Sequence, residues 1–320
     1  MILIFTEIAD GAIKKSSLEA IYYGSKVAEM MGTTATALAI GNADAAELAK
    51  AGNFGASKVL HAADAKLANP NSMAYASVLA ETVKSTGAKV VVAAKSSFAD
   101  AVTARAAGAL KAAVVGNVTE LPNLSNGFQV KVSIFTGKAF ADVNVNGDVK
   151  ILAIKKNVVA PVESGNNAAV ESLSPALADN LFAAKVTETI KATGMISLPE
   201  ADLVVSGGRG MKGPDSWQPL LDLADALGAA TACSKPVSDL DWRPHHEHVG
   251  QTGVKVSPNL YIACGISGAI QHLAGVNSSK VLVVINKDPE APFFKAADYG
   301  IVGDVFEVLP KLTKAVLASK

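Results

Sequence analysis

Short apolar segments alternate with helix-forming segments from the first residue of this chain onward. Met1–Thr6, Ala35–Ile40 and Lys89–Ala93 each have the apolar character of a buried strand. Between the first two, Ser16 to Glu19 has the pattern of a capping box, which predicts a helix that runs to about Met31. Strands that alternate with helices pair in parallel and are covered on both faces. The sequence therefore predicts an α/β fold with mostly parallel sheets.

The pattern changes after Val114. Phe128–Phe135, Ala139–Val145 and Val149–Ile154 are predicted to be extended, with no helix between them. Asn146-Gly147 separates the last two and is a strong signal for a two-residue hairpin turn. We therefore expect an antiparallel addition at one edge of the first sheet.

The length of 320 residues favours about two domains. From Ala160 to about Ala184 the chain has few bulky residues and is predicted to be a connection. A second α/β pattern begins near Glu200. The sequence thus predicts an N-terminal domain, 1–190, and a C-terminal domain, 191–320, each with a mostly parallel sheet and helices on both faces.

The composition argues against several classes of protein. Twenty-nine acidic residues balance twenty-nine basic ones, so charge gives no reason to expect nucleic acid or an anionic membrane as a partner. Two cysteines are too few for a disulfide framework. There is no signal-peptide pattern and no apolar run of about twenty residues, so we expect a soluble, intracellular protein.

The segment from Val249 to His272 carries two polar loops around one apolar strand. Gly250–Gly253 places Gln and Thr between glycines, and glycine lets backbone approach a ligand closely. The predicted strand Leu260–Cys264 ends in Gly265–Gly268, after which a helix is expected to contain His272. A strand, a glycine-rich turn and a helix start are typical of phosphate binding.

A second glycine-rich loop follows another predicted strand. Ser206-Gly207-Gly208-Arg209-Gly210 could hold a phosphate, with Arg209 as a bidentate donor, or could be a flexible turn with a surface arginine. Three glycines around one arginine directly after a strand favour ligand binding. The turn Gly265-Ile266-Ser267-Gly268 lacks the third glycine of the Rossmann fingerprint.

Three histidines close together, His245, His246 and His248, raise the possibility of a zinc site. Their loop lacks cysteines and a helical i, i+4 pair, and Pro244 disfavours helix there. An exposed polar loop is the better interpretation.

The reactive side chains do not form a bond-breaking set. Cys264 lies on a buried strand, where a small apolar role is expected, and Lys235 after Ser234 could simply be solvated. No nucleophile–base pair, paired carboxylates or P-loop lysine is found. Many ligand-contacting loops without such a set indicate that a bound cofactor does the chemistry.

Four segments carry a specific resemblance: SGGRG at 206–210, VGQTG at 249–253, YIACGISGAIQHLAG at 261–275 and INKDPEAPFFKAADYGIVGD at 285–304. In order and spacing they resemble the alpha subunit of the electron-transfer flavoproteins, and the likeness extends over essentially the whole chain. It implies a heterodimer with a beta subunit, which the N-terminal domain would contact and which commonly holds AMP. It also implies one FAD, bound mainly by the C-terminal domain as a dinucleotide-binding domain.

The resemblance further implies a redox carrier with no substrate of its own. The complex would take electrons from dehydrogenases, typically the acyl-CoA dehydrogenases of fatty acid β-oxidation, and pass them to a quinone reductase or another acceptor. It would work in the bacterial cytoplasm, or in the mitochondrial matrix as a mature eukaryotic form.

Carried over by position, the resemblance implies a set of FAD contacts. Ser234, Gln251 and Thr252 would lie along the flavin ring, with Thr252 near N5 and O4. His272 would approach the flavin O2. Ser267 to His272 would hold the ribityl and pyrophosphate part, and Asn286 and Asp304 the adenosine half. The full set is Arg209, Ser234, Lys235, Val249, Gly250, Gln251, Thr252, Gly253, Ser267, Gly268, Ala269, Ile270, Gln271, His272, Asn286 and Asp304.

Two positions depart from the family pattern. Lys235 stands where arginine is usual, and a compact ammonium does not stack on a ring as a guanidinium does. Gly303 stands where alanine is common.

The rival interpretation is an NAD-dependent enzyme, because a dinucleotide-binding fold serves both classes. A nucleotide-binding structural subunit without redox activity is a third.

Overall fold

A computed structural model of the chain describes residues 1–184, 186–188 and 197–320. These residues belong to two compact units, Met1–Ile190 and Lys191–Lys320. The predicted boundary between 190 and 191 falls in a segment, 189–196, that lies outside the described residues.

The N-terminal unit is built on a nine-stranded sheet. The strands of this unit are β1 (Ile2–Thr6), β2 (Ile8–Ala9), β3 (Ala12–Ile13), β4 (Ala35–Ile40), β5 (Lys58–Ala62), β6 (Val90–Ala94), β7 (Ala113–Val118), β8 (Gln129–Ile134), β9 (Ala139–Asn144), β10 (Lys150–Ile154) and β11 (Ala169–Ser172). The helices are α1 (Lys15–Met30), α2 (Ala45–Ala49), α3 (Ser72–Thr86) and α4 (Ser97–Leu110). The sheet order is β11-β5-β4-β1-β6-β10-β7-β8-β9, and β2 pairs with β3 in a separate antiparallel ribbon.

Helices cover both faces of this sheet because its central strands are apolar on both sides. Every residue of β1 is buried. Ile2 and Ile4 join one core cluster together with apolar residues of α1, whereas Leu3 and Phe5 join a second cluster with α3 and α4. Successive side chains of a strand point to opposite faces, so a continuous apolar run requires cover on each. The predicted α/β fold is confirmed.

The antiparallel addition is present, but the predicted hairpin at Asn146-Gly147 is wrong. β8 pairs antiparallel with β7 and with β9 at the edge of the sheet. β10 instead lies between β6 and β7 and is parallel to both. Residues Ile151 to Ile154 are all buried, as a central parallel strand requires, so β10 crosses back into the sheet.

The predicted capping box at Ser16 to Glu19 is also wrong. α1 begins at Lys15, and Ser17 Oγ accepts a hydrogen bond from the Glu7 N–H at 2.9 Å. The Glu19 carboxylate accepts from the N–H groups of Asn157 and Val158. The Glu19 side chain, which the capping pattern assigned to the start of the helix, thus serves a tertiary contact that a local pattern does not reveal. The supposed connection 160–184 contains β11, which pairs with β5 and forms an edge of the sheet.

The C-terminal unit has a five-stranded, fully parallel sheet. Its strands are β12 (Leu203–Gly207), β13 (Ala230–Cys233), β14 (Leu260–Cys264), β15 (Val281–Asn286) and β16 (Tyr299–Val302). The helices are α5 (Gln218–Leu227), α6 (Lys235–Asp239), α7 (Ile270–Val276) and α8 (Val305–Ala318). In the sheet order β13-β12-β14-β15-β16, the chain leaves β12 toward one side and returns on the other. Such a switch point opens a crevice at the carboxyl ends of the strands, where α/β sheets bind ligands.

Within the described residues, no helix is both long and apolar enough to cross a membrane.

Candidate cofactor-binding site

The predicted site residues gather at one edge of the C-terminal sheet. All five strands are parallel, so their carboxyl ends lie at the same edge. Each strand carries at least one predicted residue at or just after that end: Arg209 after β12, Ser234 and Lys235 after β13, Ser267 after β14, Asn286 in β15 and Asp304 after β16.

Glycines let the loops after β12 and β14 touch backbone to backbone. The Gly208 N–H donates to the Cys264 carbonyl at 2.9 Å, and the Gly210 N–H donates to the Gly265 carbonyl at 3.0 Å. A Cβ on Gly208 would lie 2.3 Å from the Gly265 carbonyl oxygen, closer than any real contact. Gly265 also has a φ of +63°, which favours glycine. This contact holds the loop that carries Arg209 against the start of the loop that leads to Ser267.

The loop Gly250–Gly253 rests on α7. The Gln251 N–H donates to the Gln271 carbonyl at 2.7 Å, and a Cβ on Gly275 would lie 2.6 Å from the Gly250 Cα. The Val249 N–H donates to the Cys233 carbonyl at the end of β13. The segment Val249–Gly253 is therefore held by both α7 and the end of β13, two elements that are distant from each other in sequence.

The predicted residues divide by exposure. The backbone supports are buried and most polar side chains face outward. Exposed residues are Arg209, Lys235, Gln251, Thr252, Ser267, Ala269, Ile270 and Gln271; buried ones are Ser234, Val249, Gly250, Gly268 and His272; Gly253, Asn286 and Asp304 are half-buried. A rigid floor with outward-facing donors and acceptors suits a bound ligand.

His272 is the buried titratable group of the site. Its Nε2 lies 2.9 Å from the hydroxyl of Tyr261 on β14. The ring of Phe293 packs edge-on against the imidazole, with 5.6 Å between the two ring centroids. Burial, and secondarily the nearby His248, lowers the pKa of His272 to about 4. Its Nδ1 is buried and has no hydrogen-bond partner among the described residues. A buried donor without a partner is costly unless a ligand supplies one.

Two charged residues of the predicted set have protein partners. Lys235 forms an ion pair with Asp239 at 3.0 Å, one helical turn along α6. Asp304 accepts from the Phe306 N–H at 2.9 Å at the start of α8 and pairs with Lys212 at 3.2 Å. The Phe306 N–H, and then Lys212, lower the pKa of Asp304.

The histidine loop is a turn held by a buried carboxylate. His245–Glu247 form one 3-10 turn, in which His245 and His246 are exposed, and His248, which follows the turn, is buried. The Glu247 side chain is buried and accepts from Arg243 Nε at 2.7 Å and from Thr231 Oγ1 at 2.9 Å. In the described ranges, no group of three or more His, Cys, Asp or Glu residues could hold a metal ion.

Sequence reasoning missed Tyr261 and Lys212. Tyr261 is the one polar side chain in an otherwise aliphatic strand, and this contrast was the available signal. Ser206 is fully buried at the end of β12 and was visible only as a member of the glycine-rich loop.

The fold and the site define a dinucleotide-binding α/β protein, and comparison with known proteins names its family. Residues 2–178 match the electron transfer flavoprotein domain, and residues 197–277 match the electron transfer flavoprotein FAD-binding domain. The chain belongs to the family of electron transfer flavoprotein alpha subunits. These matches favour the flavoprotein over the NAD-dependent enzyme.

Individual relatives agree with the family models. The subunit alpha of Bacillus subtilis is 35% identical over 98% of this chain and 96% of the relative. The subunit alpha of Syntrophomonas wolfei is 37% identical over 97% of this chain and 96% of the relative. A probable mitochondrial subunit alpha of Caenorhabditis elegans is 37% identical over 82% and 78%. A thiamine diphosphate-dependent decarboxylase of Rhodococcus jostii aligns with a TM-score of 0.24 and 10% identity, too low to indicate a shared fold.

The residues of the C-terminal unit fit FAD. Glycine contacts bring the ligand-facing loops together at one edge of the sheet, and the orphaned His272 Nδ1 offers a hydrogen-bonding position. Outward-facing Arg209 supplies a positive charge of the kind that binds pyrophosphate. When bound, FAD supplies a ring that accepts and releases electrons, and the protein supplies position and electrostatics.

Proposed function

We propose that this chain pairs with an electron transfer flavoprotein beta subunit and that the heterodimer carries electrons between other proteins. Dehydrogenases, typically acyl-CoA dehydrogenases, would be the donors, and a quinone reductase or another acceptor would receive the electrons. The observation that carries this proposal is the site at the switch point, which combines ligand-binding loops with no side-chain set for breaking bonds among the described residues. Such a site positions a cofactor and leaves the chemistry to it.

Within this proposal the site residues divide the FAD between them. Arg209 and the loop Ser267–His272 hold the pyrophosphate and ribityl part. Ser234, Lys235 and the loop Val249–Gly253 lie along the flavin ring. Asn286 and Asp304 hold the adenosine half. The placement of all of them at one sheet edge supports this division, since one extended ligand can span the ends of five adjacent strands.

The partner surface is supported by exposed apolar side chains in the N-terminal unit. Phe135 and Phe140, on the β8–β9 hairpin, are 76% and 60% exposed, and Ile134 lies beside them in sequence. Apolar clusters of this kind usually mark a protein interface. We assign this hairpin to contact with the beta subunit, which would itself hold AMP.

Relatives of this chain occur in bacteria and, by the name of the worm protein, in mitochondria. We accordingly place the carrier in the bacterial cytoplasm, or in the mitochondrial matrix for a mature eukaryotic form.

The test is to co-express the chain with its beta subunit and to follow the absorption spectrum during stepwise reduction. We expect one FAD released per heterodimer, reversible uptake of electrons, and reduction by an acyl-CoA dehydrogenase with its substrate. A colourless complex, or one that carries NAD, would overturn the proposal.

The interface is tested separately with Phe135→Lys and Phe140→Lys. A buried lysine should reduce co-purification of the beta subunit at least tenfold, because an unpaired charge would be desolvated. Met30→Lys is the matched control, since Met30 is also an exposed apolar residue, 46% exposed, at the end of α1. Equal recovery of the beta subunit with all three variants would reject the hairpin as the contact.

A further inference from the structure

The buried pair Tyr261 and His272 carries an inference about how the site handles a proton. We propose that Tyr261 is a positioning residue that sets the tautomer of His272, so that a neutral Nδ1–H is offered to the bound FAD. This inference rests on the proposed location of His272 at the flavin.

The direction of the hydrogen bond follows from the two side chains. Tyr261 is fully buried and its hydroxyl is 2.9 Å from His272 Nε2. Burial raises the pKa of Tyr261 far above the neutral range, so the phenol keeps its proton and can donate it. A neutral imidazole has one donor and one acceptor nitrogen. Because Nε2 accepts, the ring proton lies on Nδ1.

The other nitrogen is poised for a ligand. Nδ1 is buried and makes no hydrogen bond of ordinary geometry within the described ranges. The backbone of Val249 raises the pKa of the ring, but this effect is smaller than those of burial and of His248. A protonated Nδ1 would therefore lose a hydrogen bond on folding unless a bound group accepts it. An oxygen of a flavin ring, which gains negative charge on reduction, is such an acceptor.

The surroundings keep the ring neutral. The groups that face His272 are the phenol of Tyr261, the edge of Phe293 and the imidazole of His248, and His248 opposes a positive charge on the ring. No carboxylate contributes to the shift of its pKa. A hydrogen-bond donor, rather than a full positive charge, is thus what His272 presents to the oxidised cofactor at neutral pH.

Ser206 extends the chain of hydrogen-bonding groups. Its hydroxyl is fully buried at the end of β12, and it lies near enough to Tyr261 to lower the pKa of the phenol slightly. In the described part of the chain it has no partner of ordinary geometry. A small rotation would let Ser206 donate to the phenol oxygen and strengthen the Tyr261 donor, since linked hydrogen bonds polarise one another.

The decisive measurement is the ¹⁵N spectrum of the histidine-labelled heterodimer, followed by both one-electron potentials of its FAD between pH 6 and pH 8 as test conditions. We expect the wild-type His272 ring to be protonated on Nδ1. In Tyr261→Phe both tautomers should be populated. The first potential should then fall relative to the second by the equivalent of about threefold to tenfold in the equilibrium constant, the value of one hydrogen bond.

Tyr75→Phe is the matched control, because its buried hydroxyl donates to the Leu67 carbonyl at 2.9 Å in the N-terminal unit. That variant should change neither the ring spectrum nor the potentials. Ser206→Ala should shift the potentials in the same direction as Tyr261→Phe, but less.

Three outcomes would overturn the inference. One is a wild-type ring that is protonated on Nε2. The wild-type spectrum alone shows this, even if Tyr261→Phe fails to fold. The second is a set of potentials that Tyr261→Phe leaves unchanged, which would mean that Nδ1 serves the Val249 backbone instead. The third is a pair of tautomers already mixed in the wild type. A wild-type complex without FAD would instead reject the proposed function, while the ring spectrum would still report the tautomer.

Discussion

Each of the two units of this chain has a switch point at an edge of its sheet. The two edges differ in whether the buried polar groups there have hydrogen-bond partners within the described residues. In the N-terminal unit the switch point is at β1, and there Glu7 is satisfied by its neighbours: its carboxylate pairs with Lys14 at 3.0 Å and accepts from Ser96 Oγ, while its N–H donates to Ser17. In the C-terminal unit, His272 Nδ1 and Ser206 Oγ have no such partners among the described residues.

The difference shows that fold alone does not make a cofactor site. Both units offer a crevice at the carboxyl ends of parallel strands. In the first, the chain's own carboxylate, ammonium and hydroxyl groups fill the hydrogen-bonding positions, and a carboxylate there repels phosphate. In the second, glycines hold the loops together through backbone contacts and leave polar side chains available. Function is determined by these residues and not by the architecture.

The largest expected effect comes from closing the crevice of the C-terminal unit with one methyl group. In Gly208→Ala the new Cβ would meet the Gly265 carbonyl oxygen at 2.3 Å, and backbone cannot move aside cheaply. We expect the free energy of unfolding to fall by about 3 kcal/mol and FAD to be lost.

Gly108→Ala in α4 is the control, since no atom lies within 4 Å of the position that its new Cβ would occupy. It should keep FAD and be equal to wild type or more stable by about 0.5–1 kcal/mol. Urea unfolding and FAD stoichiometry measure both variants. A Gly208→Ala heterodimer with full FAD content and normal stability would show that the glycine contact does not shape the site.

The next effect is a loss of stability of the C-terminal unit in acid. The pKa of His272 is about 4 in the folded chain, below the ordinary value of 6.5, because burial disfavours the charged ring. The unfolded chain therefore binds the proton first. Stability conferred by the neutral ring is complete above pH 6.5 and is lost as the pH falls toward 4, by up to about 3 kcal/mol.

His272→Gln should remove this pH dependence, since glutamine does not titrate in the range. Both tryptophans of this chain, Trp217 and Trp242, lie in the C-terminal unit, so the difference in fluorescence-detected unfolding between wild type and variant reports that unit. Parallel stability curves for the two proteins from pH 7 to pH 4, as test conditions, would refute the assignment.

The sequence predicted those features that are local or periodic. Alternating apolar and helical segments correctly predicted two α/β patterns, and the rule that loops follow strands placed Arg209, Ser267 and Asp304 at strand ends. It failed where a long-range contact outweighed a local signal. The chain bends after Asn146, but β10 pairs with β6 and β7 in the centre of the sheet, where its apolar residues are buried, and not with β9.

The buried hydrogen bonds of the site could not be predicted from the sequence, because they too depend on long-range contacts. Tyr261 and His272 are eleven positions apart and lie on a strand and a helix, so no helical or strand periodicity relates them. In the N-terminal unit, Ser16 and Glu19 matched a capping pattern, yet α1 begins before Ser16 and the fold directs Glu19 to Asn157. Polar side chains with two possible partners are assigned only when the chain is folded.

A smaller effect is expected from opening the closed edge of the N-terminal unit. Glu7→Gln removes the charge that pairs with half-buried Lys14 but keeps a group of similar shape for Ser96. We expect a loss of about 1–2 kcal/mol in unfolding free energy, with FAD content and potentials unchanged. Glu120→Gln is the control, because its pair with Lys131 is largely exposed and should matter by less than about 0.5 kcal/mol. Altered FAD potentials in Glu7→Gln would contradict the independence of the two edges.

The smallest effect concerns Lys235, where the family usually has arginine. The lysine side chain is 59% exposed and forms an ion pair with Asp239, so solvent and a countercharge both weaken its field at the flavin. Lys235→Arg keeps the charge and adds a planar group that can stack on a ring. We expect both one-electron potentials to shift measurably, by about 10–40 mV, given that 59 mV corresponds to a tenfold change for one electron. Lys50→Arg, at an equally exposed lysine paired with Glu47 in the N-terminal unit, should shift neither. Identical potentials in Lys235→Arg and wild type would mean that Lys235 does not act on the flavin and would contradict the prediction.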